Sequence, residues 1–146
     1  MAAVEAHMSS DLVAVARDDL LVTAAARMAE RRVGAALVLD AERLVGILTE
    51  RDVLNAVAAG GVESAAVSNW MTHGPETIEP DETAEHAAVL MIHGGFRHLP
   101  VVESGKVVGI LSIQMLFAIA AAGGRLPAEH GREAVADPLE ELPHLV

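Results

Sequence analysis

The chain has 146 residues, 52% of them hydrophobic, which is enough for one compact domain with a core but too short for two full-sized ones. Its formal net charge of −11, from 21 acidic and 10 basic residues, opposes binding to nucleic acid and to anionic lipid surfaces. Because the chain has no cysteine, disulfides, thiolate chemistry and cysteine zinc sites are excluded.

Two series of predicted elements follow one another along the chain. The first series is a strand at Leu12 to Val15, a helix from Leu21 to Met28, strands at Ala35 to Leu39 and Leu44 to Leu48, and a helix from Val53 to Ala59. The second is a strand at Glu76 to Ile78, a helix from Ala84 to Met91, strands at Leu99 to Val102 and Val107 to Leu111, and a helix from Met115 to Ala121. Both series therefore have the order β-α-β-β-α.

Charged residues and glycines mark the ends of the first helix in each series. The acidic pairs Asp18-Asp19 and Asp81-Glu82 precede these helices, where negative charge suits a helix N-terminus. Gly94-Gly95 ends the helix of the second series, and Arg31-Arg32 place positive charge at the end of the first. We interpret these two arginines chiefly as helix C-terminal charges.

The two series match in a single ungapped register, in which Gly46 aligns with Gly109, a shift of 63 residues. The match includes Met8 with Met71, Asp18 with Asp81, Met28 with Met91, and Val-Gly-Ile-Leu at 45–48 with the same string at 108–111. The sequence therefore predicts a first unit at 1–61, a second unit at 62–122 and a tail at 123–146. One unit alone cannot bury both faces of a small sheet, so we expect the units to pack around a pseudo-twofold axis with a ligand cleft between them.

These motifs resemble a tandem pair of cystathionine-β-synthase-type (CBS) domains, also called a Bateman module. The resemblance spans Val4 to about Ala121, and it depends on Met8-Ser9, Met71-Thr72, the Arg-His-Leu-Pro-Val-Val string at 97–102 and the two Val-Gly-Ile-Leu strands. It implies an α/β (α+β) fold of two β-α-β-β-α units, homodimers, and a regulatory role in energy sensing. With no catalytic or channel domain attached, we expect a stand-alone module that acts on an unknown partner protein in trans.

The resemblance also implies a ligand, since members of the family bind AMP, ADP, ATP, NAD-type cofactors or S-adenosylmethionine. We expect an adenine nucleotide of the AMP, ADP or ATP class in the cleft, and we rank NADH and S-adenosylmethionine below it. No cofactor is expected to be required.

The segment Gly46 to Asp52 is the clearest candidate binding motif. It runs from the end of a strand into a helix, and it resembles the family's ribose clamp, in which Asp52 accepts from both ribose hydroxyls and Thr49 adds a bond. Arg51 lies at the helix start, where free backbone N–H groups also favour phosphate. The same Thr-x-x-Asp spacing suits a simple helix cap, so that interpretation stays open.

The second unit lacks this carboxylate. Ser112 keeps the hydroxyl of Thr49, but Met115 stands where the first unit has Asp52. We therefore expect one competent nucleotide site per chain.

Arg97 and His98 are the next candidates, because they stand at the entrance to a strand and resemble the family's phosphate contacts. An arginine can hold two phosphate oxygens and a histidine can donate a further bond. The alternative is a solvated strand edge with a partly buried histidine.

The adenine contacts are implied only by the resemblance. They are apolar side chains and backbone groups of the strands, at Val15, Ala16, Leu37, Gly46 and Ile47.

Metal binding and catalysis are not expected. His73, His86 and His93 are read as surface or interface residues, since no metal-binding motif accompanies them. No nucleophile–base pair or glycine-rich phosphate loop can be assembled, so the protein is not expected to be an enzyme. The competing function is a ligand-free dimeric scaffold that contacts other proteins.

The expected location is the cytoplasm. The apolar stretch Met115 to Ala122 is far shorter than the roughly 20 residues of a membrane span, and the N-terminus does not resemble a secretion signal. The tail, with three prolines, is read as a flexible or partner-docking extension.

Overall fold

Both units fold into the predicted order of elements in the computed structural model, which describes residues 3–122. The strands are β1 (Ala14–Val15), β2 (Ala35–Asp40), β3 (Arg43–Thr49), β4 (Thr72–His73), β5 (His98–Glu103) and β6 (Lys106–Ser112). The α-helices are α1 (Leu21–Arg31), α2 (Glu50–Ala59), α3 (Ala84–Gly94) and α4 (Ile113–Ala121), and short 3₁₀ helices cover Val4–Ala6, Val62–Ser64 and Val67–Asn69. The predicted tail at 123–146 lies outside the described residues.

The strands form a four-stranded sheet in the order β1-β2-β3-β4 and a two-stranded sheet of β5 and β6. β1 is parallel to β2, and the other neighbours are antiparallel. In the second unit the predicted strand at 76–78 is reduced to one parallel bridge between Ile78 and Val101. The predicted α+β fold of two equivalent units is confirmed.

The opening segment of each unit packs on the other unit. Val67 and Met71, at the start of the second unit, are buried in the core of the first, around α1 and β2. Val4, at the start of the first unit, is fully buried in the core of the second, around α3 and β5. Neither core is complete without the other unit, so the pair is the packing unit.

Each unit has a glycine in its last strand, Gly46 or Gly109, where the opening segment of the other unit packs closely. A Cβ on Gly46 would lie 2.5 Å from the sulfur of Met71, and one on Gly109 would lie 2.4 Å from the sulfur of Met8. The same Cβ atoms would lie 3.0 Å from the carbonyl oxygen of Thr72 and 3.1 Å from that of Ser9, so glycine lets the backbone of the exchanged segment approach the strand closely.

A third cluster joins the two units. Ala35, Leu37 and Ile47 of the first unit are buried together, and Val107 and Ile110 of the second unit pack against them. Full burial of a valine, leucine or isoleucine side chain contributes about 1.5–3 kcal/mol, so burial of Leu37 and Ile47 stabilises this contact between the units.

The acidic pairs were expected at the N-termini of α1 and α3, but both helices begin after their pair. The N-cap of α3 is Thr83, whose hydroxyl accepts from the N–H of His86 at 3.1 Å. The N-cap of α1 is Leu20, without a side-chain cap, and the carboxylate of Asp19 instead accepts from the N–H of Ala16 at 2.9 Å. Asp19 therefore stabilises the turn before α1, because the helix begins after the acidic pair rather than at it.

Among residues 3–122, no helix has both the length and the apolar character that crossing a membrane requires. The cytoplasmic location stays a prediction.

Candidate functional site

A cavity of about 580 Å³ lies where the two units meet. The first unit lines it with the end of α1, the start of β2 and the first residue of α2. The second unit lines it with the start of β5, the end of β6 and the start of α4. Both units are therefore needed to form it, and its volume is in the range of small-molecule sites.

The cavity wall contains three arginines and a histidine. It carries Arg31 and Arg32 from the end of α1, and Arg97 with His98 from the start of β5. Asp11 also lines the cavity and forms an ion pair with Arg31, with both side chains about half exposed. In a chain of net charge −11, Arg32 and Arg97 give an anion cationic contacts in this wall, which the carboxylate of Glu50 partly offsets.

His98 is half-buried in the cavity wall, and its pKa is lowered from 6.5. Burial is the main cause, because it disfavours the charged imidazolium, and the neighbouring Arg97 lowers the pKa further. The carboxylate of Glu50 acts in the opposite direction and raises the pKa. The imidazole is therefore mainly neutral at pH 7.

Glu50 is a cavity residue that the sequence analysis missed. It is the first residue of α2, and its backbone N–H donates to the carbonyl of Gly34 at 3.1 Å. A Cβ built on Gly34 would lie 3.1 Å from both Oε1 of Glu50 and Nε2 of His98, so these groups are close neighbours across the unit boundary. The available signal was its position, since a first helical residue directly after a strand lies at the sheet edge where a cleft opens.

Thr49 and Asp52 form the capping box that the sequence left open as an alternative. Oδ2 of Asp52 accepts from the backbone N–H of Thr49 at 2.8 Å and from its hydroxyl at 3.1 Å, while the Thr49 hydroxyl accepts from the Asp52 N–H at 3.4 Å. Neither residue lines the cavity. The carboxylate stabilises the start of α2, and its role towards a ligand stays a prediction.

The cavity thus brings together three of the predicted site residues, Arg97, His98 and Leu37. The remaining seven lie outside its lining. Val15 is in the first core, Gly46 is packed against Met71, Ile47 is 5% exposed in the contact between units, and Ala16 and Arg51 are exposed, with Thr49 and Asp52 in the capping box.

The histidines considered for a metal are apart from the cavity. Nε2 of His86 lies 3.7 Å from a carboxylate oxygen of Glu82, and Nε2 of His73 lies 3.3 Å from the carbonyl of Ser68. Within residues 3–122, no group of three or more histidine, aspartate or glutamate side chains could hold a metal ion.

Comparison with known proteins shows one family. The family model described as "CBS domain" matches residues 3–59 and again residues 67–121. A CBS domain-containing protein of Arabidopsis thaliana, CBSCBSPB2, is 41% identical over 118 residues, which cover 79% of this chain and 22% of that protein. The chain therefore spans about a fifth of the length of such plant relatives.

Solved structures share this fold over most of the chain. A CBS-domain containing protein from Agrobacterium tumefaciens is 34% identical, with a TM-score of 0.71 over 76% of this chain and 90% of that one. CBSX2, solved in complex with AMP, is 26% identical, with a TM-score of 0.72 over 84% of this chain and 98% of that one.

Proposed function

The chain belongs to the CBS domain family, and we propose that it is a regulatory module that binds an adenine nucleotide in the cavity between its two units. One observation carries the proposal. A cavity formed by both units places Arg97 and His98 of the second unit with Arg32 of the first, in a chain that is otherwise strongly acidic. AMP, ADP and ATP are the proposed ligands, with NADH and S-adenosylmethionine ranked below them.

Two further facts support a nucleotide. The cavity combines apolar walls, such as Leu37 and Ile110, with cationic groups, and this combination suits a molecule with a flat base and a phosphate. CBSX2, which shares the fold at 26% identity, was solved with AMP.

The proposed action is regulatory rather than catalytic. A phosphate held by Arg97 and His98 on one side and Arg32 on the other would bridge the units and favour one relative arrangement of them. A protein partner that reads this arrangement would then respond to the nucleotide concentration.

The predicted ribose contacts at Thr49, Arg51 and Asp52 are retained as a separate proposal. A nucleotide held there would lie outside the cavity lining and would have to compete with the capping bonds of Asp52. Asp52→Asn leaves the cavity lining unchanged. Weaker nucleotide binding by this variant would therefore place the ligand at Asp52, and unchanged binding would place it in the cavity.

The experiment is isothermal titration calorimetry with AMP, ADP, ATP, NADH and S-adenosylmethionine. Arg97→Ala is expected to weaken nucleotide binding about tenfold or more, since a charge-assisted hydrogen bond contributes about 1.5–3 kcal/mol. Arg43→Ala, which removes an exposed arginine of β3 outside the cavity, is the matched control and is expected to bind like the wild type. No heat from any of the five compounds at millimolar concentration would refute the proposal.

A second candidate function, the ligand-free dimeric scaffold, is favoured by exposed apolar side chains on α1 and α2, two helices that contact each other. Leu54 and Val57 of α2 are 67% and 55% exposed, and Leu20 and Val22 at the start of α1 are 47% and 39% exposed. We call these four residues the α1–α2 patch. A melting temperature unchanged by every nucleotide, in a protein that is still dimeric, would favour this function over the first.

A further inference from the structure

A carboxylate and an imidazole of the cavity wall meet across the boundary between the units. A Cβ on Gly34 would lie 3.1 Å from Oε1 of Glu50 and 3.1 Å from Nε2 of His98, so both groups border the same point of the wall. The imidazole is mainly neutral at pH 7, because burial lowers its pKa. Glu50 therefore brings a negative charge to this point that His98 does not neutralise.

The equivalent positions of the second unit carry the opposite charge. In the register of the repeat, Glu50 aligns with Ile113 and Gly34 aligns with Arg97. The backbone is the same in both units, since the N–H of Glu50 donates to the carbonyl of Gly34 at 3.1 Å and that of Ile113 donates to the carbonyl of Arg97 at 2.9 Å. At these two positions the first unit thus contributes a carboxylate to the cavity and the second a guanidinium.

Two of the three arginines in the wall are available to an anion. Arg31 is already paired with Asp11. Within residues 3–122, no ion pair involves Arg32 or Arg97. Two guanidinium groups balance the roughly two negative charges that one phosphate group carries at pH 7.

Further phosphate groups would lack cationic partners in this wall and would meet Glu50. Arg32 is two residues from Gly34, and Arg97 is adjacent to His98, so both arginines line the wall beside the carboxylate. A like charge that faces a ligand without a compensating partner is an effective means of rejecting that ligand.

We propose that Glu50 is a specificity-determining residue that restricts the cavity to ligands with a single phosphate group, so that AMP binds more tightly than ADP or ATP. This proposal rests on the proposed function, since it concerns a nucleotide in the same cavity. Glu50 acts by repulsion, so its removal improves the binding of the more highly charged ligands.

The test is calorimetric titration of the full chain with adenosine, AMP, ADP and ATP, without divalent cations, because Mg²⁺ would neutralise phosphate charge. ATP is expected to bind at least about tenfold more weakly than AMP, since its added phosphates carry unpaired charge beside a carboxylate. An ATP affinity equal to or above that of AMP would overturn this proposal and leave the proposed function intact. Failure of all three nucleotides to bind would overturn the proposed function, and this proposal with it.

Glu50→Gln assigns the preference to the residue, because it keeps the shape of the side chain and removes its charge. The variant is expected to improve the affinity for ATP relative to AMP by about fivefold or more, while adenosine binds as to the wild type. Glu63→Gln changes an exposed carboxylate outside the cavity and alters the net charge by the same amount. It is the matched control and is expected to keep the wild-type ratio.

Two results with a folded Glu50→Gln protein, checked by thermal unfolding, would contradict the proposal. One is a ratio of ATP to AMP affinities that is unchanged, or changed only as much as in Glu63→Gln, since the carboxylate would then not face the phosphates. The other is weaker binding of adenosine and AMP alike, which would show that Glu50 accepts hydrogen bonds from the nucleoside. The order of affinities in the wild type is a test that needs no variant.

Discussion

His98 shows how a single side chain links the site to solution pH. It stands at the first position of β5, half-buried in the cavity wall, with Arg97 beside it and Glu50 across the unit boundary. Burial outweighs the attraction of Glu50, so the pKa is lowered from 6.5. The folded protein therefore binds a proton at His98 less readily than the unfolded chain does.

This difference predicts the sign of a pH dependence. The contribution of His98 to stability is fully present above the unfolded pKa of about 6.5 and is lost as the pH falls below it towards the folded pKa. The free energy of unfolding of His98→Gln is therefore expected to fall less steeply between pH 6.5 and 5.5 than that of the wild type. The difference in slope is at most about 1.4 kcal/mol per pH unit. Urea unfolding of both proteins at pH 7.5, 6.5 and 5.5 measures this, and identical slopes would contradict it.

At the scale of residues, the sequence predicted part of the cavity lining. Arg97 and His98 were predicted because basic residues are scarce in an acidic chain and stand at a strand entrance. Glu50 was missed because its proximity to His98 depends on residues about 50 positions apart in the chain. No spacing rule within one element can indicate such a contact.

At the scale of elements, α1 and α3 both end in the left-handed backbone conformation, but with different residues. Gly95 ends α3 in the left-handed conformation with φ of 74°, and Arg32 occupies the equivalent position after α1 with φ of 58°. Glycine adopts this conformation without strain, whereas a residue with a Cβ is destabilised by about 1–2 kcal/mol. Arg32 is therefore a strained helix end that also lines the cavity.

Arg32→Gly is expected to stabilise the ligand-free protein. The relief of strain exceeds the extra freedom that glycine has in the unfolded chain, which leaves about 0.5–1 kcal/mol. Arg27→Gly, at an exposed interior position of α1, is the control and is expected to destabilise by about 1 kcal/mol. Urea unfolding midpoints measure both, and destabilisation by Arg32→Gly would show that its side chain stabilises the fold by more than the strain.

At the scale of the whole molecule, the exchanged opening segments join the units into one body. Thr72 pairs with Ile47 of β3, and Ser9 bridges to Ile110 of β6. An ion pair between Lys106 and Glu42, at 3.3 Å, adds a contact between the two strand hairpins. These contacts join the two units whose residues together line the cavity.

The α1–α2 patch predicts self-association at the same scale. Leu54 and Val57 are one helical turn apart, on a helix that contacts α1, and they form an apolar surface suited to a second copy of the chain. Leu54→Glu is expected to raise the dimer dissociation constant at least about tenfold, because it places a charge in an apolar contact. Sedimentation equilibrium measures the constant.

Asn55→Glu is the matched control, since it adds the same charge at an exposed neighbouring position of α2. It is expected to leave the dimer intact. A wild-type chain that sediments as a monomer, or equal weakening by both variants, would contradict dimerisation through this patch.

The amino-acid sequence alone determined the repeat, the order of strands and helices, and the fold class, because periodicity, glycines and turn residues act over a few neighbouring positions. Only the tertiary structure decided that Val4 and Val67 complete the opposite cores, and that Arg97 and His98 share a cavity with Glu50 and Met115 rather than with Asp52. The physical reason is the pseudo-twofold symmetry. A repeated sequence specifies two equivalent sides, and only the packing between distant segments selects which side each functional group faces.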